Sequence, residues 1–126
     1  NNYTWTMAVY RNQLYVGTMD HSYLINEGMA SLLSYILGAP VDPELVPSLP
    51  LADFGADLYR FSRPNRPAVP VTVSGAGNYT NYGFRTMLAD DALYLGTANP
   101  MNLLTDPEDA LPEGGWELLR GTKGRR

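Results

Sequence analysis

The residues best suited to chemistry gather in a few short stretches. Met19-Asp20-His21-Ser22-Tyr23 sets a carboxylate beside the single histidine of the chain. An imidazole next to a carboxylate can act as acid or base, or ligate a metal, so Asp20 and His21 are candidate catalytic residues. Either role needs further groups brought in by the fold; the plainer reading is a structural or exposed loop histidine. Arg85 is a third candidate. A cation in the first strand of its unit would meet an anionic ligand, or pair with a neighbouring carboxylate. Tyr23, Asn99 and Asn102 are candidate ligand contacts because they sit in connections that a rigid scaffold would hold together. The stretch Asn99–Glu113 also carries Asp106, Glu108 and Asp109. Clustered hard oxygens suit Ca²⁺, the one cofactor the sequence suggests. The spacing is not that of an EF-hand. A solvated acidic loop, with Thr105 capping a short helix that begins at Asp106-Pro107, explains the same residues.

Other chemistries are excluded or disfavoured. There is no cysteine, so disulfides, thiolate metal sites and a Cys nucleophile are absent. The Gly75-Ala76-Gly77 turn is no phosphate cradle, since no helix pattern follows it. The net charge is −4, and the cations scatter apart from small groups at Arg60–Arg66 and Lys123–Arg126, which argues against a nucleic-acid partner. No run approaches the ~18 apolar residues of a membrane-spanning helix. The sequons at Asn2-Tyr3-Thr4 and Asn78-Tyr79-Thr80 are explained by the turns in which they recur. The chain opens on Asn1, as a processed product or a piece of a longer protein would.

The elements that must position these residues come from a repeat. One constant offset carries Asn2 onto Asn81 and Leu14 onto Leu93, and at the same offset align Tyr3/Tyr82, Trp5/Phe84, Val9/Leu88, Tyr15/Tyr94, Val16/Leu95, Gly17/Gly96 and Thr18/Thr97. Each copy holds two strand-like runs around a tight polar turn, Arg11-Asn12 in the first and Asp90-Asp91 in the second. A third run recurs as Gly55–Phe61 and Gly115–Gly121. It carries the order acid-Leu-x-Arg at Asp57-Leu58-x-Arg60 and Glu117-Leu118-x-Arg120, with alternation that exposes the acid and buries the Leu. A fourth run, Ala68–Ser74, follows the first copy only. Four short strands repeated over tens of residues is the pattern of a β-propeller blade. Nine Tyr, twelve Gly and ten Pro agree with short strands and turns.

The motifs Asn81-Tyr82-Gly83, Leu93-Tyr94-Leu95-Gly96-Thr97-Ala98-Asn99 and Gly115-Trp116-Glu117-Leu118-Leu119-Arg120 are similar to bacterial, largely extracellular β-propeller repeats of kelch- or WD-like architecture. The first copy shares Leu14–Thr18 and Gly55–Arg60. The resemblance implies an all-β fold and a secreted or cell-surface location.

The expected architecture is therefore two four-stranded propeller-like blades with one inserted helix. The first blade spans residues 1–74 with an insertion at 19–54. The second, incomplete blade spans 75–121, and 122–126 form a basic tail. Two blades cannot close a ring of about four to eight, so the expected partners are other blades of the same precursor, another chain, or further copies of this one, unless the two units pack into a non-propeller β structure. Within the insertion, Ile25, Met29, Leu32, Leu33 and Ile36 fall on one helical face, with Asn26 as N-cap and Gly38 and Pro40 as the stop. That helix either packs over the blades or docks a partner or membrane surface. The leading functional expectation is a non-catalytic binding or assembly module of a β-propeller protein. The alternative is part of a propeller enzyme, hydrolase or lyase in type, with its site on the loop face around Asp20 and His21.

Overall fold

The computed structural model describes residues 3–46, 54–100, 105–108, 110 and 113–122, with the side chains of 23, 24 and 27 outside that set. Seven strands form a curled antiparallel sheet, a half-barrel in outline, with one α-helix beside it. Strands β1 (Tyr3–Tyr10), β2 (Gln13–Met19), β3 (Leu58–Phe61) and β4 (Val69–Thr72) make the first unit. Strands β5 (Gly83–Ala89), β6 (Leu93–Ala98) and β7 (Leu118–Gly121) make the second. Each unit is a meander in which consecutive strands pair. The units are not separate sheets. One bridge, Met19 opposite Gly83, joins β2 to β5.

The two copies agree more closely in space than a gapless alignment allows, once one residue is inserted in a turn. The β1–β2 turn is Arg11-Asn12, both at positive φ, between the paired residues Tyr10 and Gln13. This is the twist a two-residue hairpin demands. The β5–β6 turn holds Asp90, Asp91 and Ala92, because Ala89 pairs with Leu93. Thr6 and Met7, opposite Gly17 and Val16, therefore correspond to Thr86 and Met87, opposite Gly96 and Leu95. Both hairpins carry an irregularity at the same place, between Thr4 and Thr6 and between Phe84 and Thr86. Between the equivalent pairs Val9/Leu14 and Ala89/Leu93 the first copy has four residues and the second three, so the second hairpin is one residue shorter, and the change of turn keeps that deletion from reversing every side chain of one strand.

Pro70 lies in β4, an edge strand, where its missing N–H costs no ladder bond. The core lies between the units. Ala56 and Leu58 from the first meet Phe84, Leu93 and Leu95 from the second, with Ala8, Tyr10, Tyr15, Met87 and Leu119 against them. Burying such side chains contributes about 1.5–3 kcal/mol each, so this contact is the main cohesion between the repeats. The expected alternation of the third strands holds only in part. Asp57 is buried rather than exposed, and Leu118 is exposed rather than buried.

Helix α1 (Ser22–Leu37) ends as expected at Gly38, which adopts the left-handed conformation. It begins five residues earlier than the Asn26 cap implies, with His21 at the N-cap position. The expected apolar face is not buried as a whole: Ile25, Leu32 and Ile36 are exposed and Met29 and Leu33 half-buried, while Tyr35 and Leu37 on the opposite face are exposed too. Among the described residues no helix is long and apolar enough to cross a membrane. Apart from Thr122, the basic tail lies outside the described residues.

Candidate functional site

The loops named by the sequence converge on the end of the sheet where β2 and β6 stop, and there the two copies use one construction. In the first unit Thr18 N–H donates to Asp57 O at 2.9 Å, and Thr18 Oγ1 accepts from Asp57 N–H at 2.9 Å. In the second, Thr97 N–H donates to Glu117 O at 3.1 Å, and Thr97 Oγ1 accepts from Glu117 N–H at 3.0 Å. A threonine at the end of the second strand thus fastens the entry of the third. The threonine hydroxyl supplies donor and acceptor together, which explains its recurrence in both Gly-Thr pairs.

The acid of each acid-Leu-x-Arg run is anchored just above this clasp. Glu117 accepts from Asn78 Nδ2 at 2.8 Å through Oε1 and from Asn81 Nδ2 at 2.7 Å through Oε2. Asn81 is fully buried and also donates to Gly75 O. Its carbonyl oxygen accepts from Asn99. Asn99 in turn holds Gly115 through both its N–H and its carbonyl. This is a chain of amides and one carboxylate in which every partner is supplied by the repeat itself. In the first unit Asp57 Oδ2 accepts from Tyr59 O–H at 2.8 Å. That bond, followed by burial and the Asp57 charge, raises the Tyr59 pKa.

The candidate catalytic residues come to the same end but do not converge as a triad. Asp20 is buried; its N–H donates to Tyr82 O at 2.7 Å and its Oδ1 accepts from Ser22 N–H and Ser22 Oγ–H. The carboxylate therefore holds the first turn of α1, which is why the helix starts at Ser22 and not after Asn26. His21 is half-buried beside it, and its carbonyl accepts the Ile25 N–H. Arg85 is exposed on β5, and its guanidinium lies 5.8 Å from the ring centre of Trp5. Its neighbour among the described residues is thus an aromatic face rather than a carboxylate. Asn99, proposed as a ligand contact, is buried and committed to Asn81 and Gly115.

Of the remaining candidates, Asn102, Asp109 and the side chain of Tyr23 lie outside the described residues. In the acidic loop Asp106, not Thr105, does the capping. Its Oδ1 accepts from Glu108 N–H at 3.1 Å and its Oδ2 from Ala110 N–H at 2.7 Å. Glu113 accepts from Asp106 N–H. Among the described residues no three His, Asp or Glu side chains group as metal ligands. The polar network around Asn78, Asn81 and Glu117 was legible only as a recurrence, since neither the Asn nor the acid forms a known catalytic spacing.

A scan against protein-family models and searches of curated proteins and of solved structures find no match for this chain.

Proposed function

We propose that this chain is a non-catalytic binding and assembly module made of two propeller-type units, completed by further units of the same kind. One observation carries the reading. Ala56 and Leu58 of the first unit have Trp116 and Leu118 as their counterparts in the second, by position in the acid-Leu-x-Arg run and by pairing with Gly17 and Gly96. The first pair is sealed by the neighbouring unit, at 0% and 3% exposure; the second pair stands at 79% and 62%. A repeat whose inner face is covered and whose outer face is bare and more apolar is built to be followed by another surface like that of Phe84, Leu93 and Leu95. A heterologous contact of this kind propagates to a ring when the rotation closes.

What weighs against a hydrolase or lyase site around Asp20 and His21 is the commitment of the Asp20 carboxylate to Ser22. Calcium at Asp106 has the same difficulty, because both carboxylate oxygens already accept backbone N–H groups. The resemblance of the repeats to extracellular propeller sequences extends the reading to a secreted or cell-surface protein.

The test is sedimentation of the purified chain across a concentration series, alongside the double variant Trp116→Ser, Leu118→Asp. The expected outcome is concentration-dependent association by the wild type that the variant loses, with its unfolding midpoint unchanged. A wild-type chain that stays monomeric throughout, and whose Trp116 and Leu118 accept these substitutions without any effect on association, would sink the assembly reading.

A further inference from the structure

A cleft of about 740 Å³ opens between the two units. Its volume lies in the range that holds small organic ligands. Leu58, Leu95 and Leu119 supply apolar walls, and three arginines, Arg11, Arg60 and Arg120, line it without a single Asp or Glu among the lining residues. In a chain of net charge −4, that local excess of cation is a departure in need of a cause.

The repeat shows what is missing. Arg120 lies across from Tyr94 in the β6–β7 pairing, and its Nη2 donates to Asp91 Oδ2 at 2.7 Å. The Tyr94 hydroxyl donates to the other oxygen of the same carboxylate. Arg60 lies across from Tyr15 in the same way. The first unit's turn, however, contains Arg11 and Asn12, with no carboxylate to complete the trio. Arg60 Nε is shielded from solvent and has no hydrogen-bond partner among the described residues. A buried donor left unmet is costly, and a guanidinium presents a fork that fits a carboxylate with two parallel bonds.

We propose that this cleft binds small amphipathic carboxylates, with Arg60 taking the head group where the second unit has its own Asp91, and Leu58, Leu95 and Leu119 taking the apolar body. The site needs only the packing of the two units on each other, so it stands or falls separately from the assembly reading.

Octanoate and 1-octanol share a chain and differ in the head group, and binding to the full chain is followed by methyl carbon–proton spectra and calorimetry. The expected result is that octanoate shifts the methyls of Leu58, Leu95 and Leu119, and that octanol binds at least about tenfold more weakly, the usual weight of a hydrogen bond to a charged group. Arg60→Gln is expected to reduce octanoate to the level of octanol while keeping the wild-type spectrum. Equal binding of the two probes, no shift of those methyls at millimolar octanoate, or a folded Arg60→Gln chain that binds octanoate undiminished would each overturn the proposal. Should Arg60→Gln fail to fold, the comparison of probes on the wild type decides it.

Discussion

Asn81 and Glu117 lie in different segments of the second unit, yet the buried amide of one donates to the carboxylate of the other at 2.7 Å. The second carboxylate oxygen takes Asn78. Two side-chain amides therefore depend on one acid, and Asn81 reaches on to Gly75 and Asn99. The loop before β5 and the entry to β7 are held as one body by this group.

Glu117→Ala leaves the buried Asn81 amide with an unmet donor. The expected cost is about 1–3 kcal/mol, read as a fall in the urea unfolding midpoint. Glu117→Gln is expected to destabilise too, because its own amide must face the donor of Asn78 or of Asn81. A Glu117→Ala chain as stable as the wild type would show that water replaces the carboxylate without loss.

Gly17 marks one place where the two units approach closely. A Cβ built there would lie 2.6 Å from Phe84 Cβ and 2.8 Å from Met87 Cε. Met87 has a flexible end that can give way, but Phe84 is fully buried and presents the root of its side chain. Gly17→Ala is expected to cost about 1–3 kcal/mol by overpacking. It should also broaden the Phe84 ring resonances, since the strain falls on the seam. Unchanged thermal stability would contradict this packing.

Asp91 sits low on the pH scale because the Tyr94 hydroxyl bonds it, with Arg120 adding a second bond and its charge. A carboxylate with a depressed folded-state pKa stabilises the protein above its unfolded value near 3.9, and that contribution is lost as pH falls through the folded value. Asp91→Asn is therefore expected to flatten the acid limb of the stability profile below about pH 4 and to lower neutral-pH stability by the same increment, a small one because the pair is well exposed. Thermal unfolding between neutral and acid pH measures both. An identical acid limb in the variant would remove Asp91 from the account.

Tyr59 behaves in the opposite sense. Its hydrogen bond to Asp57, then burial and the adjacent negative charge, raise its pKa. The folded state holds that proton more tightly than the unfolded chain. Its contribution is fully present below the unfolded value near 10 and is lost as pH rises through the folded value. Absorbance titration of the folded protein should show one tyrosine ionising late, and Tyr59→Phe should remove it. A titration of Tyr59→Phe superposable on the wild type would reject the assignment.

Much of the fold was legible in the chain because it is set locally. The Arg11-Asn12 turn, the alternating runs of β1, β2, β5 and β6, and the stop of α1 at Gly38 all depend on residues near in sequence, through steric preference and side-chain period. So did the duplication, including the Gly-Thr and acid-Leu-x-Arg signatures. The one-residue difference between the turns escaped, because Thr6-Met7 and Thr86-Met87 align only when strand register is known.

The tertiary structure alone decided which copy of each signature is buried. Leu58 and Leu118 hold the same place in the acid-Leu-x-Arg run and pair with equivalent glycines, yet Leu58 is covered by the second unit and flanked by β4, while Leu118 is exposed on β7 at the sheet edge. It likewise decided that Asp20 serves Ser22, that Glu117 serves Asn81, and that Arg60 Nε has no hydrogen-bond partner among the described residues. Burial and hydrogen-bond satisfaction are properties of what surrounds a side chain across the fold, and a local pattern specifies the side chain without specifying its surroundings.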